Sequence, residues 1–198
     1  LINLAAPDSE ILKKSIDAMT KELLRCELLG IPFAVLHPGS RKDKPLDWGI
    51  ARIADSINKI VDATADCKAK IALETTAGAG SSIGGRFEEL AEIRGKVEAK
   101  DRIGFCLDTC HIFTAGYELR TSDGYKKTWA DFKNTIGMKD LLAVHVNDSK
   151  FGIGTHKDRH ENIGDGEIGL AGFKNLMNDA ALKKIPLVLE TPKGDAPP

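Results

Sequence analysis

No run of about 18 consecutive apolar residues occurs in the chain, which excludes a transmembrane helix and argues against a membrane partner. Charge of one sign does not predominate either: 28 Lys and Arg stand against 29 Asp and Glu, a formal net charge of −1. A basic coat for nonspecific nucleic-acid binding is therefore missing, and only a local basic rim could serve that end. Cysteine is scarce. Cys26, Cys67, Cys106 and Cys110 lack the spacing of a zinc ribbon or a thioredoxin motif, so they read as small buried hydrophobes of a reducing compartment. The opening "LINLAAPDSE" has no Met and no charged, apolar or Arg-rich targeting pattern, and it reads as the middle of a strand. No domain boundary interrupts the 198 residues, whose composition, 42% hydrophobic, is that of one ordinary globular domain.

What is present is a repeated unit. Five apolar runs of strand length recur: "IPFAVLH" (31–37), "KIALE" (70–74), "RIGFCLD" (102–108), "LLAVHV" (141–146) and "IPLVLE" (185–190). They are apolar at both odd and even positions, as parallel strands covered by helices should be. Helix-period stretches lie between them. Leu12, Ile16, Met19, Leu23 and Cys26 form one stripe, after a Pro-Asp-Ser start and before Gly30 as a stop. Ile50, Ile53, Ile57 and Ile60 form a second, Phe87, Leu90 and Ile93 or Arg94 a third. Trp129, Phe132 and Ile136 form a fourth, and Phe173, Leu176 and Met177 the last. Strand and helix alternate, so the chain is a parallel α/β protein with these stripes packed in its core.

The residues closing the five strands are His37, Glu74, Asp108, His145 and Glu190, separated by 37, 34, 37 and 45 positions. A strand-end His alone is most simply a packing residue, but a carboxylate ending an apolar strand is costly without a partner. The switch point of a doubly wound sheet gathers only two or three strand ends, whereas a (β/α)8 barrel brings all of them to one mouth. Residues 1–198 are therefore expected to form a single TIM-barrel domain missing its N-terminal strands, with five strands and the tail of a sixth ("LINL") out of eight.

Imidazoles and carboxylates without thiolate suit zinc or manganese. Two further groups enlarge the set: His111, three residues past Asp108 in what reads as a short turn, and Asp158 with His160, which project to one side if the backbone there is extended. Eight candidates exceed the needs of one four-coordinate ion. Several adjacent ions clamp the attacking and leaving oxygens of an in-line displacement at phosphorus, which makes phosphodiester hydrolysis the expected reaction.

The segments "LHPGS" (36–40), "LETTAGAGSSIGGRFEEL" (73–90), "GFCLDTCHIFTAGYELRT" (104–121), "HVNDSK" (145–150), "DRHENIGDGEIG" (158–169) and "PLVLETP" (186–192) closely resemble, in order, the endonuclease IV family of apurinic/apyrimidinic endonucleases. The resemblance implies an endonuclease IV and xylose isomerase-like TIM barrel with three zinc ions, for which manganese is a possible substitute. It implies base-excision repair: cleavage of double-stranded DNA 5′ to an abasic site, and 3′-repair phosphodiesterase action at blocked 3′ ends. By matching position, His37 would hold the first zinc, Glu74 would bridge the first and second, and Asp108, His145 and Glu190 would hold the second. His111, Asp158 and His160 would hold the third. Glu190, with Glu74, would be catalytic, Glu190 orienting the attacking water. A monomer is expected, cytoplasmic in a bacterium or archaeon, nuclear or mitochondrial in a eukaryote.

One departure accompanies the resemblance. The family's remaining first-zinc His falls upstream of Leu1, as do most residues it inserts into DNA, Leu1 itself matching one such position. Lys150, Lys157 and Arg159 either neutralise DNA phosphates or belong to a solvated basic loop; "RKDK" (41–44) has the same two readings. The glycines of "TAGAGSSIGG" (76–85) either approach a phosphate or shape a long loop. No base-reading module is visible, consistent with recognition of a lesion by shape and flipping. Two rivals remain. A divalent-metal sugar isomerase or epimerase would leave His111, Asp158 and His160 without a role. A metal-binding or DNA-binding remnant without turnover would follow from the missing ligand.

Overall fold

The structure is a computed structural model in which residues 2–192 are described. In chain order its elements are α1 (Ser9–Leu29), β1 (Phe33–Leu36), β2 (Gly39–Ser40), α2 (Leu46–Ala63), β3 (Lys70–Glu74), β4 (Ser82–Ile83), α3 (Phe87–Lys96) and β5 (Ile103–Asp108). There follow α4 (Thr109–Ala115), α5 (Ser122–Thr135), β6 (Leu141–His145), β7 (Asp148–Ser149), β8 (His160–Glu161), α6 (Gly169–Met177) and β9 (Leu187–Val188).

Local chemistry sets the helix ends. Asp8 caps α1 by accepting from the amides of Glu10 and Ile11, and Gly30 ends it in the left-handed region at φ 68°, donating to the carbonyls of Cys26 and Glu27. Leu12, Met19, Leu23 and Cys26 bury the predicted stripe of α1, and Ile50, Ile53, Ile57 and Ile60 that of α2.

The main sheet has the order β1-β3-β5-β6-β9, with every pair parallel. Spatial order follows chain order without reversal, each strand returning through a helix to lie beside its predecessor. A doubly wound sheet would reverse direction at its switch point; a singly wound, curling sheet is barrel geometry.

The two faces of the sheet differ in size. Ile71, Leu73, Phe105, Leu107 and Val144 pack with the helices into the main core. Ala72, Cys106 and Ala143 form a separate small cluster on the other face, with partly buried Phe33, Val35 and Leu142 beside it. A side chain at Gly104 would meet Leu142 at 2.4 Å, which explains glycine there. On the helical side Phe87 stacks on Tyr117 at 4.1 Å between centroids and meets Phe132 edge-on at 5.3 Å, the geometries that ring quadrupoles favour.

Four expectations need correction. Burial at both odd and even positions holds for β3, β5 and β6, but β1 and β9 flank the described sheet, and Leu187 and Val188 are exposed. Met177, assigned to a core stripe, is 66% exposed at the last residue of α6, while Phe173 and Leu176 are buried. Asp108 and His111 do not sit in a simple turn: Asp108 caps α4, accepting from the amide of His111. Strand and helix do not alternate alone, because two antiparallel ribbons, β2 with β4 and β7 with β8, stand above the carboxyl ends of the strands. Among the described residues no helix is long and apolar enough to cross a membrane.

Candidate metal centre

The pleat explains the convergence. Val35, Ala72, Cys106 and Ala143 lie in the concave face, and two positions further along each strand come His37, Glu74, Asp108 and His145. Glu190 follows Val188, the strand partner of His145. The shared period therefore carries all five side chains to one end of the sheet. There His37 Nε2 is 3.0 Å from Glu74 Oε2. His145 Nδ1 lies 2.8 Å from Glu74 Oε1 and 3.0 Å from Glu190 Oε2.

A second set meets this one through Asp108 and His111. His111, in the first turn of α4, is 2% exposed and places Nε2 3.2 Å from Asp158 Oδ1. His160, in the β8 ribbon, brings its Nε2 to 3.5 Å from Asp108 Oδ2 and 3.7 Å from Asp158 Oδ1. Two groups have ligand atoms all within 4.8 Å of one another: Glu74, Asp108, His145 and Glu190, and His111, Asp158 and His160. His37 and Glu74 make a third with His111. All eight sequence candidates other than Leu1 and the basic residues are thus gathered at one place.

The donor set fits divalent cations. Nδ1 of His111 lies 2.8 Å from the Thr75 carbonyl, and Nδ1 of His160 lies 3.1 Å from the Glu190 carbonyl. A carbonyl only accepts, so in each ring Nδ1 carries a proton and Nε2 is the atom turned to the cluster, the usual arrangement of a metal-ligating imidazole. Both Nε2 atoms are buried without a hydrogen-bond partner, Asp158 approaching His111 off the N–H direction. The electrostatics agree. Burial opposes ionisation of Glu74, but hydrogen bonds with His145 and His37 and the positive rings around it hold its carboxyl down at about 2. Burial likewise opposes protonation of His111, yet the carboxylates of Asp108, Asp158 and Glu74 lift it to about 9. Burial works against protonation of His145 too, and Glu74 foremost overcomes it, so that ring is also raised; Asp158 is lowered by His111. The raised imidazoles of His111 and His145 thus sit among the four converging carboxylates of Glu74, Asp108, Asp158 and Glu190.

Cys106 and Cys110, the two cysteines beside the cluster, are held as neutral thiols. Burial pushes the Cys106 thiol far up, and it pushes Cys110 up to about 11, although each sulfur lies within ligand distance of site groups. All four cysteines are free and buried, as expected of packing residues.

Leu1 lies outside the described residues. Of the basic candidates, Lys150 pairs with Glu161 at 3.6 Å, Lys157 stands 4.2 Å over the Phe151 ring, and Arg159 donates to the Asp158 carbonyl at 2.6 Å. The glycine-rich loop forms the β4 side of a ribbon, with Gly84 at φ 107°. A recess of about 180 Å³ beside His37 and Asp158 is walled by Asn3, Ser40, Lys42 and Thr76.

Two polar residues just past β6, Asn147 and the first residue of β7, Asp148, were given no role in the sequence reading. Asn147 and Asp148 are both 0% exposed. Asp148 accepts from the amides of Ser149 at 2.8 Å, Gly164 at 3.0 Å, Gly166 at 3.2 Å, Ile168 at 2.9 Å and Gly169 at 3.2 Å. One carboxylate thereby closes the loop that carries Asp158 and His160. A Cβ at Gly166 would stand 2.5 Å from Asp148 Oδ1, which explains glycine there.

Across residues 1–198 the chain matches the family described as xylose isomerase-like TIM barrel. A "probable endonuclease 4" of Halothermothrix orenii is 47% identical over 193 residues, 98% of this chain and 69% of that protein. The apurinic-apyrimidinic endonuclease of Caenorhabditis elegans is 46% identical over 198 residues, 100% of this chain and 50% of that one. The crystal structure of endonuclease IV from Thermus thermophilus superposes with a TM-score of 0.85 at 31% identity, over 98% of this chain and 67% of that one. The chain belongs to the endonuclease IV family.

Proposed function

We propose that the polypeptide containing this chain is a zinc-dependent apurinic/apyrimidinic endonuclease, hydrolysing the phosphodiester 5′ to an abasic site in double-stranded DNA, with 3′-repair phosphodiesterase activity at blocked 3′ ends. One observation carries the reading: eight imidazole and carboxylate side chains from six segments meet in adjoining groups at one end of the sheet. The names of the similar proteins support the nuclease class.

In this reading His37 and Glu74 belong to the first ion, Glu74 with Asp108, His145 and Glu190 to the second, and His111, Asp158 and His160 to the third. Divalent zinc, or manganese in its place, would neutralise charge at phosphorus and lower the pKa of a water toward about 7. The residues supply placement. Glu74 is held ionised by the rings on either side of it and remains an acceptor at working pH. Glu190, 46% exposed and 3.0 Å from His145, is open to solvent on one side and can orient an incoming water and take its proton. Lys42, at the recess beside His37, and Lys150, Lys157 and Arg159, on the loop carrying Asp158, would meet backbone phosphates.

The test is zinc content together with nicking of a duplex bearing one abasic site. At least two ions per intact polypeptide and incision 5′ to the lesion are expected. Fewer than two ions together with intact DNA would overturn the assignment. Glu190→Gln should abolish cleavage while leaving the fold in place; substantial residual cleavage would remove Glu190 from its role.

A further inference from the structure

The second group, Glu74, Asp108, His145 and Glu190, draws on β3, β5, β6 and the segment after β9. Asp108 and Glu190 lie on opposite sides of β6, so nothing in the sheet ladder links them directly. Asn147 does. Its Nδ2 donates to Asp108 Oδ2 at 2.7 Å, and its Oδ1 accepts from the Glu190 amide at 2.8 Å.

The ladder between β6 and β9 shows what this replaces. The amide of Val144 donates to the Pro186 carbonyl at 2.9 Å, and that of Val146 to the Val188 carbonyl at 2.7 Å. The bond from Glu190 returns to the Asn147 side chain in place of a backbone carbonyl. The residue itself is pinned: its amide donates to Thr109 Oγ1 at 2.8 Å, and Thr109 Oγ1 donates to its carbonyl at 2.7 Å. The other oxygen of Asp108 accepts from the His111 amide at 2.9 Å, so both carboxylate oxygens have fixed donors.

We propose that Asn147 is a positioning residue that fixes Asp108 and Glu190 relative to each other and so sets the affinity of their group for a divalent cation. The assignment needs a side chain that donates at one end and accepts at the other from a fixed, fully buried place. An aspartate would face Asp108 with like charge; a leucine of similar shape would take away the Asn147 donor to Oδ2 of Asp108 and the acceptor of the Glu190 amide. Groups that hold metal ligands in this manner change affinity by roughly 10- to 100-fold when removed. The inference rests on the metal reading above, and it is independent of the substrate.

The intact protein, stripped of metal and reloaded with cobalt(II) or zinc, tests it. Asn147→Asp and Asn147→Leu should each weaken one ion roughly 10- to 100-fold in competition with a chelator. The visible cobalt bands of that ion should change, while the ion held by His111, Asp158 and His160 keeps its affinity. Circular dichroism identifies the folded variants, and the near-isosteric Asn147→Asp decides alone if Asn147→Leu does not fold. Unchanged affinities and bands in a folded variant would overturn the proposal. Equal weakening of every ion, in step with lost stability of the metal-free protein, would overturn it in favour of a purely structural role. A wild type that binds no cobalt would overturn it together with the metal reading. A wild type that binds the ions but leaves abasic DNA intact would overturn the nuclease assignment alone.

Discussion

Nε2 of His111 and Oδ1 of Asp158 lie 3.2 Å apart, the imidazole 2% and the carboxylate side chain 47% exposed. A wholly buried ring thus meets a half-exposed acid carried by a loop, and the two can be changed at very different structural cost. Asp158→Asn should cost the metal-free protein about 1 kcal/mol at most near pH 7, because the acid that compensates the buried His111 ring is itself half exposed. It should lose one bound ion and reduce cleavage by more than the roughly 100-fold typical of residues behind the ligands. Metal analysis and a nicking assay on one preparation check both halves.

Asp148 offers the opposite case, a buried carboxylate with no place among the ligands. Asp148→Asn replaces an acceptor oxygen by a donor amid five backbone amides, and should cost about 2–4 kcal/mol, since bonds to charged groups are the stronger kind. The loop 150–168 should then become the first site of limited proteolysis. Unaltered cleavage by protease would show that the loop holds itself together without the carboxylate.

Glu118 predicts how one surface pair responds to acid. The guanidinium and amide of Arg120 hold its carboxyl at about 2, well below the ordinary 4.5. A lowered folded-state value stabilises above the unfolded value, and the contribution fades as pH falls from about 4.5 toward 2. Both partners are partly solvated, at 27% and 41% exposed, so Glu118→Gln should cost no more than about 1 kcal/mol at pH 7. Urea titrations should show that difference shrinking by pH 3.

Phe132 tests the helical side of the core. It is 0% exposed and meets Phe87 and, at 5.6 Å, Trp129. Phe132→Ala should destabilise by about 3–5 kcal/mol. Zinc content at temperatures where the variant remains folded should be unchanged, because this face of the sheet points away from the candidate ligands.

Much of this was legible in the sequence because two periods carry it. The 3.6-residue spacing of Ile50, Ile53, Ile57 and Ile60 marks a buried face, and the two-residue pleat puts His37, Glu74, Asp108 and His145 on one side. What has no period was not legible. The ribbons pair only two residues on each side, too few for any alternation. Met177 continues an apolar spacing, but α6 ends there, and its side chain passes beyond the core. Asn147 and Asp148 look like loop residues because polarity ordinarily signals solvent. Their burial is balanced by amides up to 43 positions away, which local pattern does not reveal. A hint existed in the glycines of "IGDGEIG", three of whose amides or close approaches converge on Asp148.

The span of the site along the chain, from His37 to Glu190, bears on how the protein comes to be made. While a ribosome is still short of residue 190, the nascent chain already displays His37, Glu74, Asp108, His111, His145, Asp158 and His160, but the second group is incomplete. Contacts between such distant positions also form late in folding, after the cost of closing long loops has been met. In the proposed reading the ligand set of the second cation is therefore finished only once residue 190 has been made, whereas His111, Asp158 and His160 are already present, and the last segment adds a further carboxylate, so the finished cluster calls for a cation more strongly than the unfinished one.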